Sequence, residues 1–155
     1  MNATLSTLAT VLAVGALALA AAAPSAATAP EPIRIDLSGV VTGPDSFQGT
    51  FVASGVVSDS GTYGGTFRFA GSTLHVMKTL IGTKGTITLK TDAVVVTTSP
   101  TTIGFRAGSW AVVSGTGAYA DLHAVGTPAA ASGASADLVT GAIRETHEGR
   151  AFFRP

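Results

Sequence analysis

From residue 33 onward, apolar and polar residues alternate with a period of two. Ile33, Ile35 and Leu37 share one side of the first such segment, and residues 86–96 repeat the pattern over a longer stretch. This alternation is typical of strands that bury one face, and nothing beyond residue 32 keeps a helical spacing long enough to form a real helix. About eight such segments, with turns every 8–12 residues, predict an all-β fold: a single antiparallel eight-stranded β-barrel, with a sandwich as the alternative. The segments are 33–37, 48–57, 62–69, 73–81, 86–96, 103–105 with 110–113, 122–127 and 138–147, and turns are expected at 42–46, 58–61 and 82–85.

The N-terminal segment differs from the rest of the chain. Residues 8–23 form an unbroken apolar run that suits the core of a signal peptide better than a bilayer span of about 20 residues, and small residues allow cleavage after Ala27. We therefore predict a helical signal peptide at 1–27, a flexible leader at 28–32 and the barrel domain at 33–155. The protein is then secreted or held at the cell surface, with no stable membrane span after cleavage. Because no Lys or Arg precedes the run, an uncleaved anchor and a disordered Ala-rich tail remain alternatives.

Composition excludes several classes of site. The chain has no cysteine, so a lipid anchor on cysteine, disulfides and thiolate metal sites are impossible. Nine basic and nine acidic residues balance, and neither sign gathers in a block, so we expect no nucleic-acid partner. His75, His123 and His147 stand in separate segments without the spacing of metal ligands, and we expect no metal and no cofactor.

Residues 110–126 interrupt the β pattern with an ordered turn. Trp110 begins a strand, Gly-Thr-Gly at 115–117 allows a sharp reversal, and residues 118–122 suit a single helical turn. That turn brings Tyr119 and Leu122 to one side, where they can plug one end of a barrel.

The order Trp-x-Val-x-x-Gly-Thr-Gly-x-Tyr-x-x-Leu-x-x-x-Gly over residues 110–126 resembles a segment of allene oxide cyclase-like barrels, dirigent proteins and related bacterial lipocalin-like barrels. The resemblance implies a small β-barrel, and it implies much less about activity because a fold does not determine a reaction.

The activities of those families do not carry over to this chain residue by residue. Allene oxide cyclases position a catalytic water with Asn side chains beside a Glu, whereas the only Asn here is Asn2, inside the predicted signal. Dirigent proteins use Asp and Arg residues of their pocket, so the resemblance offers candidates by residue type alone. These are Asp36, Asp137, Arg68 and Arg144.

The densest polar group is 144–148. Arg144 is in phase with Leu138 and Ala142, which predicts an inward Arg, paired with a carboxylate or available to anchor a substrate. Glu145 and His147 share the other face, either as an acid/base pair at a barrel mouth or, as the sequence favours, as part of a solvated strand end. The weak catalytic candidates are Arg144, Arg68 and Asp36.

Aromatic and aliphatic side chains supply the candidate ligand-binding residues, although aromatics at period two are more often ordinary core. The candidates are Phe67, Phe69, Leu89, Phe105, Trp110 and Tyr119. We expect a non-catalytic binder of a small apolar molecule. The alternatives are a cofactor-free isomerase or cyclase, a dirigent-like guide for a reactive intermediate, and a filled barrel with a structural or interaction role. The identity of the ligand and the oligomeric state stay open.

Overall fold

The computed structural model describes residues 29–128 and 134–154. This part of the chain is all β apart from one short 3-10 helix, Gly117–Tyr119. The strands are β1 (Glu31–Val41), β2 (Ser46–Gly55), β3 (Asp59–Ala70), β4 (Thr73–Gly82), β5 (Thr86–Ser99), β6 (Thr102–Gly115), β7 (Leu122–Pro128), β8 (Ser135–Asp137) and β9 (Ala142–Phe153). The predicted signal peptide at 1–27 lies outside the described residues, and β1 already includes Glu31 and Pro32 of the predicted leader.

The strands form one closed antiparallel barrel. Each of β1 to β6 pairs with the next strand, β7 links β6 to β9, and β9 returns to pair with β1. These eight strands make the barrel, which confirms the fold predicted from the alternation. β8 is an additional short strand that pairs with β6 and β9 beyond the end of β7, so β7 and β8 together fill one position in the wall.

A β-bulge explains how β6 keeps its large side chains inside. Phe105 and Trp110 are both buried although they are five positions apart, and residues an odd number of positions apart lie on opposite faces of a regular strand. Ala93 pairs with Gly108 and Val94 with Arg106, so Ala107 is the extra residue. Ala107 has a φ of 46° and Gly108 a φ of 147°, values that let the strand change phase at this point. The segments 103–105 and 110–113, grouped in the sequence, therefore belong to one continuous strand.

The structure corrects two local predictions. The turn expected at 58–61 lies earlier, around Gly55 with its φ of 95°, and β3 begins at Asp59. Leu138 lies in a turn and not in the last strand, because the Asp137 carboxylate accepts the backbone N–H groups of Val139 and Thr140 at 2.8 Å each. The strand then begins at Ala142, so the position of Leu138 does not set the phase of Arg144.

The 3-10 helix closes one end of the barrel, as predicted. Tyr119 and Leu122 are buried there, and the Tyr119 hydroxyl donates to Asp59 Oδ2 at 2.8 Å. Asp59 also accepts the backbone N–H groups of Ser60, Thr83 and Lys84 and the Thr83 hydroxyl. Burial raises the pKa of the Asp59 carboxyl, but the hydrogen bonds from Thr83, Tyr119 and the backbone outweigh it and hold that pKa well below its ordinary range.

Asp59→Asn should lower the free energy of unfolding at neutral pH by about 1–3 kcal/mol, because an amide nitrogen replaces one oxygen that accepts hydrogen bonds. The pKa of the Asp59 carboxyl is lower in the folded protein than in the unfolded chain, where it is about 3.9. The ionised carboxylate therefore stabilises the fold at any pH above about 3.9, and this stabilisation is lost as the pH falls through the folded-state pKa. Chemical denaturation should therefore show the gap between wild type and variant shrinking below about pH 4. Asp121→Asn, at the exposed Asp121 beside the same helix, is the control and should change little. A gap that does not depend on pH would contradict this account of Asp59.

Candidate functional site

The end of the barrel opposite Tyr119 contains a cavity of about 270 Å³. Its walls are apolar side chains that point inward from β2, β3, β4, β6 and β9. They include Phe47, Phe67, Leu74, Val76, Phe105 and Ile143. Phe47 packs against Phe67 with ring centroids 6.3 Å apart, and Phe67 meets Phe69 edge to face at 5.9 Å, so one wall is a continuous aromatic surface.

Exposed apolar side chains surround the mouth of this cavity. Phe69 is 56% exposed and Leu138 60% exposed, and both line the cavity. Val41 contributes from the end of β1. The closed half of the barrel, in contrast, is filled by buried core residues. They include Ile35, Leu80, Ile87, Leu89, Trp110 and Tyr119.

A buried ionic group forms the floor of the cavity. Glu145 lines the cavity from β9, and its Oε2 accepts a hydrogen bond from Lys78 Nζ, whose side chain is completely buried. His147 Nε2 lies 3.1 Å from the same carboxylate oxygen and 3.2 Å from Lys78 Nζ. Lys78 is on β4 in phase with Val76 and Leu80, so the strand alternation itself turns it into the barrel.

Lys78, Glu145 and His147 together carry no net charge at neutral pH. Burial raises the pKa of Glu145, but the charge of Lys78 and the hydrogen bond from His147 outweigh it, and the pKa lies well below its ordinary value. Burial and the charge of Lys78 lower the pKa of His147, with Glu145 acting in the opposite direction. His147 is therefore neutral at neutral pH, and Lys78 and Glu145 carry opposite charges that cancel.

Several polar atoms beside this ion pair have no hydrogen-bond partner within residues 29–128 and 134–154. They are Tyr63 Oη, Thr91 Oγ1 and His147 Nδ1. Burial and the nearby charge of Glu145 raise the pKa of the Tyr63 phenol, so it stays protonated. The unpaired atoms mark the middle of the barrel as a polar layer between the apolar cavity and the packed closed end.

The catalytic candidates from the sequence do not enter the barrel. Arg68 and Arg144 are exposed on the outer surface. Asp36 is also outside, paired with Arg34 at 2.9 Å and accepting the Thr146 hydroxyl at 2.7 Å. The inward direction expected for Arg144 is thus corrected: Arg144 does share a face of β9 with Ala142, but both are exposed, and Leu138 lies in the turn before the strand.

The other face of β9 carries the inward polar groups. Glu145 and His147 were expected at a solvated strand end, whereas the structure buries His147 to 1% exposure and places both side chains inside the barrel. Lys78 was missed by the sequence reasoning, although its phase with Leu74, Val76 and Leu80 was a usable signal.

The apolar candidates divide between the two halves of the barrel. Phe67, Phe69 and Phe105 line the cavity. Leu89, Trp110 and Tyr119 are buried in the core and are not part of the cavity wall.

Comparison with known proteins yields no match: no protein-family model, curated protein or solved structure is similar to the chain. The likeness of residues 110–126 to allene oxide cyclase-like and dirigent barrels therefore stays a resemblance. Within the part of the chain that the structure describes, no helix has the length and apolarity needed to cross a membrane. No three His, Asp or Glu side chains of those residues are grouped so that they could hold a metal ion.

Proposed function

We propose that this barrel binds a small apolar molecule in the cavity at its open end. The observation that carries the proposal is a cavity of about 270 Å³ with aromatic and aliphatic walls in a barrel whose other half is packed. An apolar cavity of roughly 150 Å³ accommodates benzene, so by proportion this cavity accommodates a ligand of about ten non-hydrogen atoms.

The apolar walls and the exposed rim support this role. Burial of apolar ligand surface contributes about 25 cal/mol per Å². The charged residues of the wall are Asp137 and Glu145, and both carboxylates already have partners: Asp137 accepts the backbone N–H groups of Val139 and Thr140, and Glu145 pairs with Lys78. The rim formed by Val41, Phe69 and Leu138 gives an apolar ligand a continuous path from the surface to the interior. The proposal includes export, which is supported by the apolar run at 8–23.

One observation favours the alternative of a cofactor-free isomerase or cyclase. Glu145 lines the floor of an apolar cavity and contacts Lys78 and His147, so three ionisable groups lie together there, as acid–base chemistry requires. The lowered pKa of Glu145 makes its carboxylate a weak base, however, and its ion pair with Lys78 has a structural explanation. We therefore prefer the binding role.

Filling the cavity tests the binding role directly. Isothermal titration of the protein with p-cymene, which has ten carbon atoms, should show saturable binding. In the variant Ala136→Trp, an indole added to the cavity wall at β8 should weaken this binding at least tenfold, because it occupies the ligand's space. Ala142→Trp is the matched control, since Ala142 is exposed on the outer face of β9 and should leave the affinity unchanged.

Far-UV circular dichroism should confirm that both variants keep the barrel. Absence of any p-cymene binding by the wild-type protein, or equal binding by the Ala136→Trp variant, would contradict this proposal.

A further inference from the structure

We propose that the cavity selects apolar molecules that carry a single hydroxyl group, and that this hydroxyl occupies a small extension of the cavity floor beside Thr91 and His147. This inference rests on the proposed binding function and adds the chemical class of the ligand. It is carried by the size of the extension, by the unpaired polar atoms around it and by the balanced charges beneath it.

The extension is a space of about 10 Å³ next to the main cavity. The two spaces share Leu74, Val76, Phe105 and Glu145, so they adjoin each other. A space with a volume of about 10–15 Å³ holds one group the size of a water molecule. The extension therefore admits one oxygen atom of a ligand, and it is too small for a carboxylate or a longer polar chain.

The residues around the extension can pair with a hydroxyl. Thr91 and His147 line it, and Thr91 Oγ1 and His147 Nδ1 have no hydrogen-bond partner in the described residues. Both side chains are almost fully buried, with exposures of 3% and 1%. A buried polar atom without a partner destabilises a protein by about 1–3 kcal/mol, so a ligand that supplies the missing partner gains affinity.

A hydroxyl suits both possible tautomers of His147. If the Nε2 proton points to Glu145, Nδ1 is an acceptor; if Lys78 donates to Nε2, Nδ1 carries the proton and is a donor. A hydroxyl both donates and accepts, and it can meet the Thr91 hydroxyl as well. An ammonium group only donates and a carboxylate only accepts, so each suits one tautomer alone.

The charges below the floor exclude ionised ligands. Glu145 and Lys78 already form a pair, and the Glu145 hydrogen bonds found in the described residues all involve Oε2. A ligand carboxylate would bring a second negative charge beside Glu145, and a ligand ammonium would face Lys78. Either ion would lose its hydration without gaining an unpaired counter-charge. A neutral hydroxyl avoids both penalties.

A series of ligands with one carbon skeleton tests the inference on the wild-type protein. The probes are p-cymene, 4-isopropylbenzyl alcohol, 4-isopropylbenzylammonium and 4-isopropylbenzoate, titrated calorimetrically at pH 7. We expect the alcohol to bind at least tenfold more tightly than p-cymene, and both ions to bind at least tenfold more weakly than the alcohol. If p-cymene binds as tightly as the alcohol, or if either ion binds more tightly than it, the hydroxyl inference is overturned while the binding function stands. If p-cymene does not bind at all, the binding function itself fails.

A variant of the extension separates the hydroxyl contact from general binding. Thr91→Val removes the hydroxyl but keeps the shape of the side chain, and it should reduce the advantage of the alcohol over p-cymene to less than threefold. The affinity for p-cymene should stay the same. Because Thr91 Oγ1 has no partner in the described residues, its loss should not destabilise the barrel. Thr88→Val, on the outward face of the same strand, is the control and should keep the full preference. A preference for the alcohol that survives Thr91→Val would overturn the placement of the hydroxyl.

Discussion

Glu145→Gln should lower the free energy of unfolding by about 3–5 kcal/mol, as expected when one partner of a buried ion pair is removed. The reason is the position of Lys78, whose side chain is fully buried and pairs with Glu145. The amide keeps the size of the side chain and removes its charge, so the ammonium stays in the barrel without a counter-charge. Urea denaturation monitored by Trp110 fluorescence measures the change.

The same strand provides a matched control. Glu148 is three residues further along β9, on the opposite face, and pairs with Arg34 at 2.6 Å on the surface. Glu148→Gln should leave the denaturation midpoint almost unchanged, because solvent-exposed ion pairs contribute little to stability. Equal effects of the two substitutions would contradict the burial of Glu145.

A second substitution separates loss of the ion pair from loss of packing. Lys78→Met in the Glu145→Gln background should recover most of the lost stability, because a buried ion pair replaced by uncharged groups of similar size is often neutral or stabilising. If the double variant is as unstable as the sum of the two single variants, the side chains do not interact and the ion pair is misplaced.

Trp110→Ala should lower the free energy of unfolding by about 3–5 kcal/mol, the range for truncating a buried aromatic side chain to alanine. Trp110 is 2% exposed, and its Nε1–H donates to the backbone oxygen of Glu148 at 3.1 Å. Its ring centroid lies 5.6 Å from that of His147, so it also supports one side of the cavity floor. Differential scanning calorimetry or denaturant titration followed by circular dichroism measures the loss.

Two glycines make room for this indole. A Cβ atom on Gly126 would lie 2.6 Å from Trp110 Nε1, and one on Gly149 would lie 2.9 Å from Trp110 Cζ2. Truncation therefore leaves a cavity that the neighbouring backbone cannot fill with side chains. Val113→Ala on the same strand is the control, because Val113 is 58% exposed and its truncation should cost less than about 0.5 kcal/mol. A loss below 1 kcal/mol for Trp110→Ala would reject the inward placement of this strand.

The barrel was predictable because its signals are local. Alternation in residues 86–96, for example, identifies the buried face of β5, where Ile87 and Leu89 are almost completely buried. Gly-Thr-Gly at 115–117 identifies the reversal before the 3-10 helix. These patterns act within a few residues, since strand phase and turn geometry follow from neighbouring side chains.

The candidate site was less predictable because the alternation pattern places Leu138 and Arg144 on one strand, although a turn separates them. Leu138 is in phase with Arg144 along the sequence, but the Asp137 carboxylate accepts the backbone N–H groups of Val139 and Thr140 and holds Leu138 in a turn before the strand. The alternation on β4 did contain the decisive signal, since Lys78 lies in phase with Val76 and Leu80. A single lysine in an apolar strand carries no indication of its partner.

By itself, the sequence determined the class of fold, the approximate strands and the plug at Tyr119. The tertiary structure alone decided that Lys78 and Glu145, 67 positions apart in the chain, meet inside the barrel, and that the open half remains hollow. The physical reason is barrel closure. Hydrogen bonding between neighbouring strands sets the register that brings β4 and β9 to the same depth across the interior, and no local pattern in either strand encodes that depth.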